Sequence, residues 1–206
     1  MNTIALRKHV SLAAAASALL MSVSLSAQAQ QSDMTVQTAP LGLYGGVTAG
    51  IGINNWKCDV SCDRAVFSGK LFGGKRLTPG LAAEINYIVF GQTQRSNSQA
   101  ATAALGYAIE KRKVHAYTLG INWEVELLNS ITNQLRFGWA AVEQKNTRTL
   151  AGGALSETKN HLTAPYLGAG LAFQLTRQVK LLTSADFIIK GHESQYLVSA
   201  GASAEF

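Results

Sequence analysis

The chain has 206 residues, a formal net charge of +6 and only 15% charged residues. This length is enough for one domain of ordinary size, and the scattered positive excess is too small to indicate nucleic-acid binding. No run after Ala29 has the roughly 20 apolar residues of a membrane helix, so if the protein lies in a membrane it crosses as strands.

The N-terminus has the layout of a secretory signal peptide. Arg7 and Lys8 precede the apolar run SLAAAASALLMSVSLS, and Ala27-Gln28-Ala29 forms an A-x-A cleavage site. The alternative, a transmembrane anchor, requires a longer run with fewer small residues. We expect residues 1–29 to be removed, residues 30–42 to form a short N-terminal segment, and residues 43–206 to form the folded domain.

Period-two alternation of apolar and polar residues recurs from Leu43 to Phe206, and it predicts eight strands. The connections between strands alternate in length, from the tight Pro79-Gly80 turn to longer polar stretches at 55–64, 92–112 and 143–160. Short turns at one end and longer loops at the other are typical of an up-and-down outer-membrane barrel. The predicted strands are 43–54, 66–76, 82–90, 114–124, 133–141, 165–175, 179–187 and 196–206.

The two cysteines, in the segment Cys58-Asp59-Val60-Ser61-Cys62, leave three interpretations open. A local disulfide is favoured because an exported protein meets an oxidising compartment. Free thiols are the second interpretation. A metal site using Asp59 and Asp63 is the third, although no second Cys/His pair supports it. We expect no metal site and no cofactor.

Five charged residues of the strands lie on one face with Gly, Ser, Thr and Asn, and aromatic and aliphatic residues lie on the other. A soluble lipocalin-like barrel is the structural alternative, because it would carry its charges outside. The low overall charge argues against a water-covered exterior, and Trp123, Tyr44 and Phe206 lie near strand ends, where a membrane interface favours aromatic residues. We therefore predict that the polar face points inward. Its charged residues are Lys70, Glu84, Arg136, Lys180 and Asp186.

An eight-stranded barrel has an interior just wide enough for side chains, so buried charges there must pair. Lys70 and Glu84 mirror one another across the Pro79-Gly80 turn and are expected partners. Arg136 is expected to meet Glu84 or Asp186. We interpret these residues as a structural ionic plug, with a conducting or catalytic site as the alternative.

The segment 71–91 carries a set of motifs found in a known family. Leu71-Phe72-Gly73-Gly74, a short turn, and then Ala83-Glu84 followed by an aromatic residue and Gly91 resemble the second hairpin of the OmpA-like outer-membrane β-barrel family of proteobacteria. The resemblance extends over about Leu43 to Phe206. Its other elements are the Cys58/Cys62 pair in the first loop, Gly168-x-Gly170, and Phe206 behind Gly201.

The resemblance implies an all-β, eight-stranded antiparallel transmembrane barrel in the outer membrane of a Gram-negative bacterium, with a role in membrane integrity or surface interaction. It also implies that the barrel-assembly machinery reads the last strand, with Tyr196 and Phe206 as the assembly signal. OmpA-type proteins carry a peptidoglycan-binding domain after the barrel, and none follows Phe206, so a cell-wall tether is not expected. We expect a monomer.

Six basic residues in the predicted loops suggest a partner. Arginine and lysine bind phosphate groups well, so contact with lipopolysaccharide is one interpretation and simple solvation of the loops is the other. These residues are Arg95, Lys111, Arg112, Lys145, Arg148 and Lys159.

Two further functions are weaker alternatives. Interior glycines such as Gly46 and Gly74 would leave a narrow path for a small porin-like channel, although glycine also serves strand curvature. The segment Gly191-His192-Glu193-Ser194-Gln195 superficially resembles a lipid A deacylase motif, but Gln195 replaces the expected Asn. Glu205, a candidate for the acid of such a motif, lies roughly 35 Å from Ser194 along the same strand. We expect no catalytic residues.

Overall fold

In the computed structural model, residues 42–55, 59–190 and 194–206 are described, and they form nine strands and one short helix. Within these ranges no helix has the length and apolar character needed to cross a bilayer. The strands are β1 (Leu43–Asn54), β2 (Ser61–Cys62), β3 (Ala65–Thr78), β4 (Leu81–Ser96), β5 (Tyr107–Leu128), β6 (Ile131–Leu150), β7 (Leu155–Gln174), β8 (Val179–Ile188) and β9 (Gln195–Glu205), and the helix is α1 (Gln99–Leu105).

Eight of these strands close into an antiparallel barrel, which confirms the predicted fold class. Each long strand pairs with its sequence neighbours, and β1 pairs with β9 to close the ring. The two-residue strand β2 lies outside the ring and pairs with the end of β4. Three short connections, after β3, β5 and β7, lie at the same end as the start of β1 and the end of β9. Short turns mark the periplasmic end of such barrels.

Strands β5, β6 and β7 are much longer than the sequence predicted. They have 22, 20 and 20 residues. Strands β6 and β7 extend through most of the stretch 143–160 that was expected to be a loop, and β5 includes residues 107–112 of the expected loop 92–112. The prediction was wrong because both faces of these upper parts carry polar residues. Hydrophobic alternation therefore stops, although the strands continue.

The short helix α1 was also missed. Ser98 caps its N-terminus by accepting a hydrogen bond from the backbone N–H of Ala101 at 3.2 Å. Gly106 ends it in the left-handed conformation, with φ of 78°. Seven residues are too few to show helical periodicity in a sequence.

The two faces of the barrel wall differ as the alternation predicted. Phe67 and Leu119 are 78% and 68% exposed on the outside, whereas Glu84 and Asp186 are 3% and 1% exposed inside. Large exposed apolar side chains are stable only where hydrocarbon replaces water. Tyr44 is an exception to the prediction, because it lies inside the barrel at 6% exposure rather than at the membrane interface.

The orientation of the wall predicts how an added charge changes stability. Arginine in place of Phe137, on the outer face, should cost about 2–4 kcal/mol of unfolding free energy because it would lie in hydrocarbon. Thr149→Arg, on the same face of the same strand but beyond the apolar band, should stay within about 0.5 kcal/mol of the wild type. Urea unfolding in phospholipid vesicles measures both values. Equal losses for the two variants would contradict the orientation.

Candidate functional site

Two buried ion pairs lie in the middle of the barrel interior. The Nζ atom of Lys70 is 2.7 Å from Oδ2 of Asp186, and Nε of Arg136 is 3.0 Å from Oε1 of Glu84. All four residues are at most 3% exposed. Because a buried charge without a partner is strongly destabilising, each pair depends on both of its members.

A tyrosine completes each pair. The hydroxyl of Tyr166 donates to Oδ1 of Asp186 at 2.5 Å, and the hydroxyl of Tyr44 donates to Oε2 of Glu84 at 2.8 Å. Each carboxylate is therefore held by one cation and one phenol. Neither tyrosine was predicted to belong to this cluster, although the alternation already placed both on the polar face.

One expectation about these charges was wrong. Lys70 lies opposite Ile88 in the β3–β4 register, because Glu84 pairs with Gly74, so Lys70 and Glu84 are not cross-strand partners. Lys180 lies outside the central cluster and contacts Glu205 at 3.3 Å.

Lys180 belongs to a second cluster at the periplasmic end. Arg76 binds Glu124 at 2.9 Å and also contacts Glu205, which in turn contacts Lys180. These residues come from strands β3, β5, β8 and β9. The cluster therefore ties together strands on both sides of the β1–β9 junction that closes the ring.

An apolar layer fills the interior on the extracellular side of the two central pairs. Its members pack into one cluster, and each is at most 2% exposed. Apart from the hydroxyl of Tyr166, which is engaged by Asp186, these side chains offer no polar groups to replace the hydration shell of an ion. The layer consists of Ile88, Phe90, Val114, Ala116, Ala140, Val142, Ala164, Tyr166, Ile188 and Leu197.

The interior glycines do not leave the path that the sequence suggested. A Cβ added to Gly74 would lie 2.4 Å from Cζ of Tyr44, and one added to Gly46 would lie 2.5 Å from Cζ of Phe72. The space above these two glycines is therefore filled by an aromatic ring from a neighbouring strand. Glycine here accommodates large neighbours and does not widen the interior.

The basic residues expected in loops lie on strands instead, and they divide into two groups. Arg95 and Arg148 both bind the fully buried carboxylate of Glu110, and Arg112 donates to Asn146 at 3.2 Å. These three side chains bind groups of the protein itself, and their contact with lipopolysaccharide stays a prediction. Lys111, Lys145 and Lys159 alternate with them and face outward.

Three outward lysines form a row across three strands. Lys113 on β5 lies directly opposite Lys145 on β6, which lies directly opposite Lys159 on β7. Adjacent strands are about 4.8 Å apart, so the three side chains emerge close together. We call these residues the lysine row. Lys113 was missed by the sequence analysis, although it alternates in phase with Lys111.

The lysine row borders a shallow depression of about 250 Å³, lined by Gln92, Lys111, Lys113, Lys145 and Thr147. Like charges directly opposite one another destabilise a sheet, so the row does not contribute to folding stability. Lys145 also forms a 2.8 Å ion pair with Glu157. The hydrogen bond from Lys145 holds the pKa of the Glu157 carboxyl below its ordinary value.

Aromatic side chains lie just below the lysine row on the outer surface. Tyr87 stacks on Tyr117 with ring centroids 4.9 Å apart and on His115 at 6.1 Å, and Trp139 is 63% exposed nearby. Exposed aromatic rings of this kind occupy the boundary between hydrocarbon and headgroups. The lysine row therefore lies on the extracellular side of this boundary.

The remaining predicted sites are not brought together by the described residues. Cys58, His192 and Glu193 lie outside these residues, so the Cys58–Cys62 disulfide stays a prediction. Among residues 42–55, 59–190 and 194–206, no three His, Cys, Asp or Glu side chains are placed to hold a metal ion. Phe206 is 84% exposed and Tyr196 faces outward, and their role as an assembly signal also stays a prediction.

A closed antiparallel ring with an apolar exterior and paired charges inside defines a transmembrane β-barrel. The chain belongs to the outer membrane protein β-barrel domain family, whose model matches residues 15–204. Membership implies a location in the Gram-negative outer membrane, and it confirms the resemblance seen in the sequence. Among curated proteins, none matches the chain significantly.

Three solved structures are similar to this chain in fold. They are Ail, the attachment invasion locus protein of Yersinia pestis (14% identity, TM-score 0.51, covering 80% of this chain and 99% of Ail); the N-terminal barrel of Pseudomonas aeruginosa OprF (12%, 0.53, 81% and 98%); and Neisserial surface protein A (16%, 0.51, 80% and 97%).

The central ion pairs predict a specific pattern of stability. Lys70→Met should lower the free energy of unfolding by about 3–5 kcal/mol, because it leaves Asp186 buried without its cation. The double variant Lys70→Met/Asp186→Asn should recover most of this loss, since the new asparagine carries no charge and its side-chain carbonyl still accepts from Tyr166. Urea unfolding in lipid micelles measures both. A double variant as unstable as the single variant would show that the pair is not the cause.

The apolar layer predicts that the barrel does not conduct ions. Planar-bilayer recordings of the purified protein should show no steps above background, because ions would have to cross this layer, whose single hydroxyl already donates to Asp186. Reproducible conductance steps that are lost on heat denaturation would contradict this description of the interior.

Proposed function

We propose that the protein is a structural and surface-interaction barrel that binds lipopolysaccharide headgroups in the outer leaflet and so contributes to outer-membrane integrity. The observation that carries this proposal is the lysine row, three directly opposed cations directly above the aromatic interface. The interior is filled, so the surfaces available for binding are the outer wall and the extracellular end.

The chemistry of the row fits a headgroup that carries several phosphates. Each lysine ammonium is a compact charge with three donors, and charge-assisted hydrogen bonds to phosphate are among the stronger ones. The opposed ammonium groups repel one another, and this repulsion lowers folding stability. Binding of a polyanion would neutralise the charges and remove the repulsion. Lys111, one step farther along β5, extends the same surface.

The proposal includes the predictions about export and assembly. In it, residues 1–29 are removed after Ala29, a disulfide links Cys58 and Cys62, and the barrel-assembly machinery recognises the last strand through Tyr196 and Phe206. The mature barrel then resides as a monomer within its own membrane. The alternating outward face of β9 and the exposed ring of Phe206 support the assembly part of this proposal.

Removing two positive charges from the lysine row, and two from the periplasmic end as a control, tests the lipopolysaccharide contact. Lys113→Gln/Lys145→Gln removes two cations from the row, and Lys75→Gln/Arg177→Gln removes two from the periplasmic end as the matched control. Near an anionic surface each lysine contributes about 1 kcal/mol, so the row variant should bind purified lipopolysaccharide roughly 10- to 30-fold more weakly. Titration in detergent at low salt measures the affinities.

The control should bind within about twofold of the wild type. Equal loss in both double variants would indicate general electrostatic attraction, and unchanged binding by the row variant would contradict the proposal. Heat-modifiable mobility on gels confirms that each variant is folded.

A further inference from the structure

The upper part of β7 has a strand on only one side. It pairs with β6 from Leu155 onward, but its pairing with β8 begins only at Tyr166, opposite Ile188. Among the described residues, no strand lies along the other side of residues 155–164. Residues 155–161 are all exposed. We call residues 155–163 the free edge.

The backbone groups that point away from β6 can be assigned. The carbonyl of Pro165 accepts from the N–H of Ile189, so residue 165 directs its backbone toward the β8 side. Backbone direction alternates along an antiparallel strand. Leu155, Glu157 and Lys159 therefore direct their N–H and C=O groups to the side on which no strand of the described residues lies, where they form a template for another strand.

The charges along the free edge are self-complementary in one antiparallel register. When Thr158 lies opposite Thr158 of a second copy, Glu157 of each copy lies opposite Lys159 of the other. In this register the residues with open backbone groups also lie opposite each other, so each such pair exchanges two backbone hydrogen bonds. Centring the pairing on Glu157 or on Lys159 instead would oppose like charges.

Chain direction decides where the second copy must be. Two barrels in one membrane direct β7 the same way, so their free edges would pair in parallel and place Glu157 beside Glu157 and Lys159 beside Lys159. Like charges at such positions are destabilising. Antiparallel pairing requires barrels that point in opposite directions. We propose that the free edge binds the free edge of a second copy of this chain anchored in a facing membrane.

The existing contact of Glu157 does not oppose this pairing. Glu157 and Lys145 are 47% and 42% exposed in their side chains, and exposed pairs of this kind contribute little to stability. Glu157 is therefore free to turn toward Lys159 of the second copy. Lysine on an edge strand normally prevents pairing, and here a glutamate two residues away supplies its counter-charge.

Charge reversal in lipid vesicles tests the proposal apart from lipopolysaccharide. Protein purified from outer membranes is reconstituted into phosphatidylcholine vesicles labelled with either a donor or an acceptor dye, and energy transfer between vesicles reports their tethering. Wild-type vesicles should tether one another. Glu157→Lys and Lys159→Glu should each reduce tethering roughly tenfold or more, because both opposed pairs become like-charged.

A mixture of the two single variants shows whether a loss of tethering comes from the changed charges or from misfolding. The first variant carries lysine at both positions and the second carries glutamate at both, so in a mixture each opposed pair again joins a lysine to a glutamate. Tethering should therefore return in the mixture, although neither variant tethers alone. The double variant Glu157→Lys/Lys159→Glu should also tether itself.

Absence of tethering by the wild type, or a mixture no better than the single variants, would overturn the proposal. These vesicles contain no lipopolysaccharide, so the result does not depend on the proposed headgroup contact.

Discussion

The pairing of charge inside the barrel is the constraint on which the rest of the structure depends. A strand in hydrocarbon has one face for lipid, so every charged residue at that depth must lie inside, where water is also excluded. Lys70 with Asp186 and Arg136 with Glu84 satisfy that requirement, and Tyr166 and Tyr44 bind the remaining carboxylate oxygens. The outer wall can then be almost wholly apolar.

Because the interior is filled, the surfaces that remain available for binding lie outside the barrel interior. The ion pairs and the apolar layer above them occupy the space that a channel would need. The upper halves of β5, β6 and β7 extend beyond the aromatic side chains of the outer wall and carry polar groups on both faces. The lysine row and the free edge both lie on this projecting sheet. The first suits an anionic headgroup beside the barrel, and the second suits a strand from a facing surface.

The sequence predicted the membrane-spanning strands well, because lipid and interior impose opposite polarity on alternate residues. Strand β1 was predicted at both of its ends for this reason. The projecting parts of β5 to β7 could not be predicted, since water on both sides removes the contrast around Lys111 and Lys145. The Lys70–Asp186 pair also could not be predicted, because β3 and β8 are not neighbours and their contact requires the closed ring.

The most direct measurement compares leucines on the two faces of the wall without altering the protein. Leu119 and Leu181 are 68% and 44% exposed, whereas Leu182 and Leu197 are 3% and 0% exposed. In nanodiscs, methyl NMR should show cross-relaxation from lipid acyl chains to the first two leucines and none to the second two. Acyl-chain contacts at Leu182 or Leu197, with none at Leu119 or Leu181, would contradict the inward orientation of the polar face.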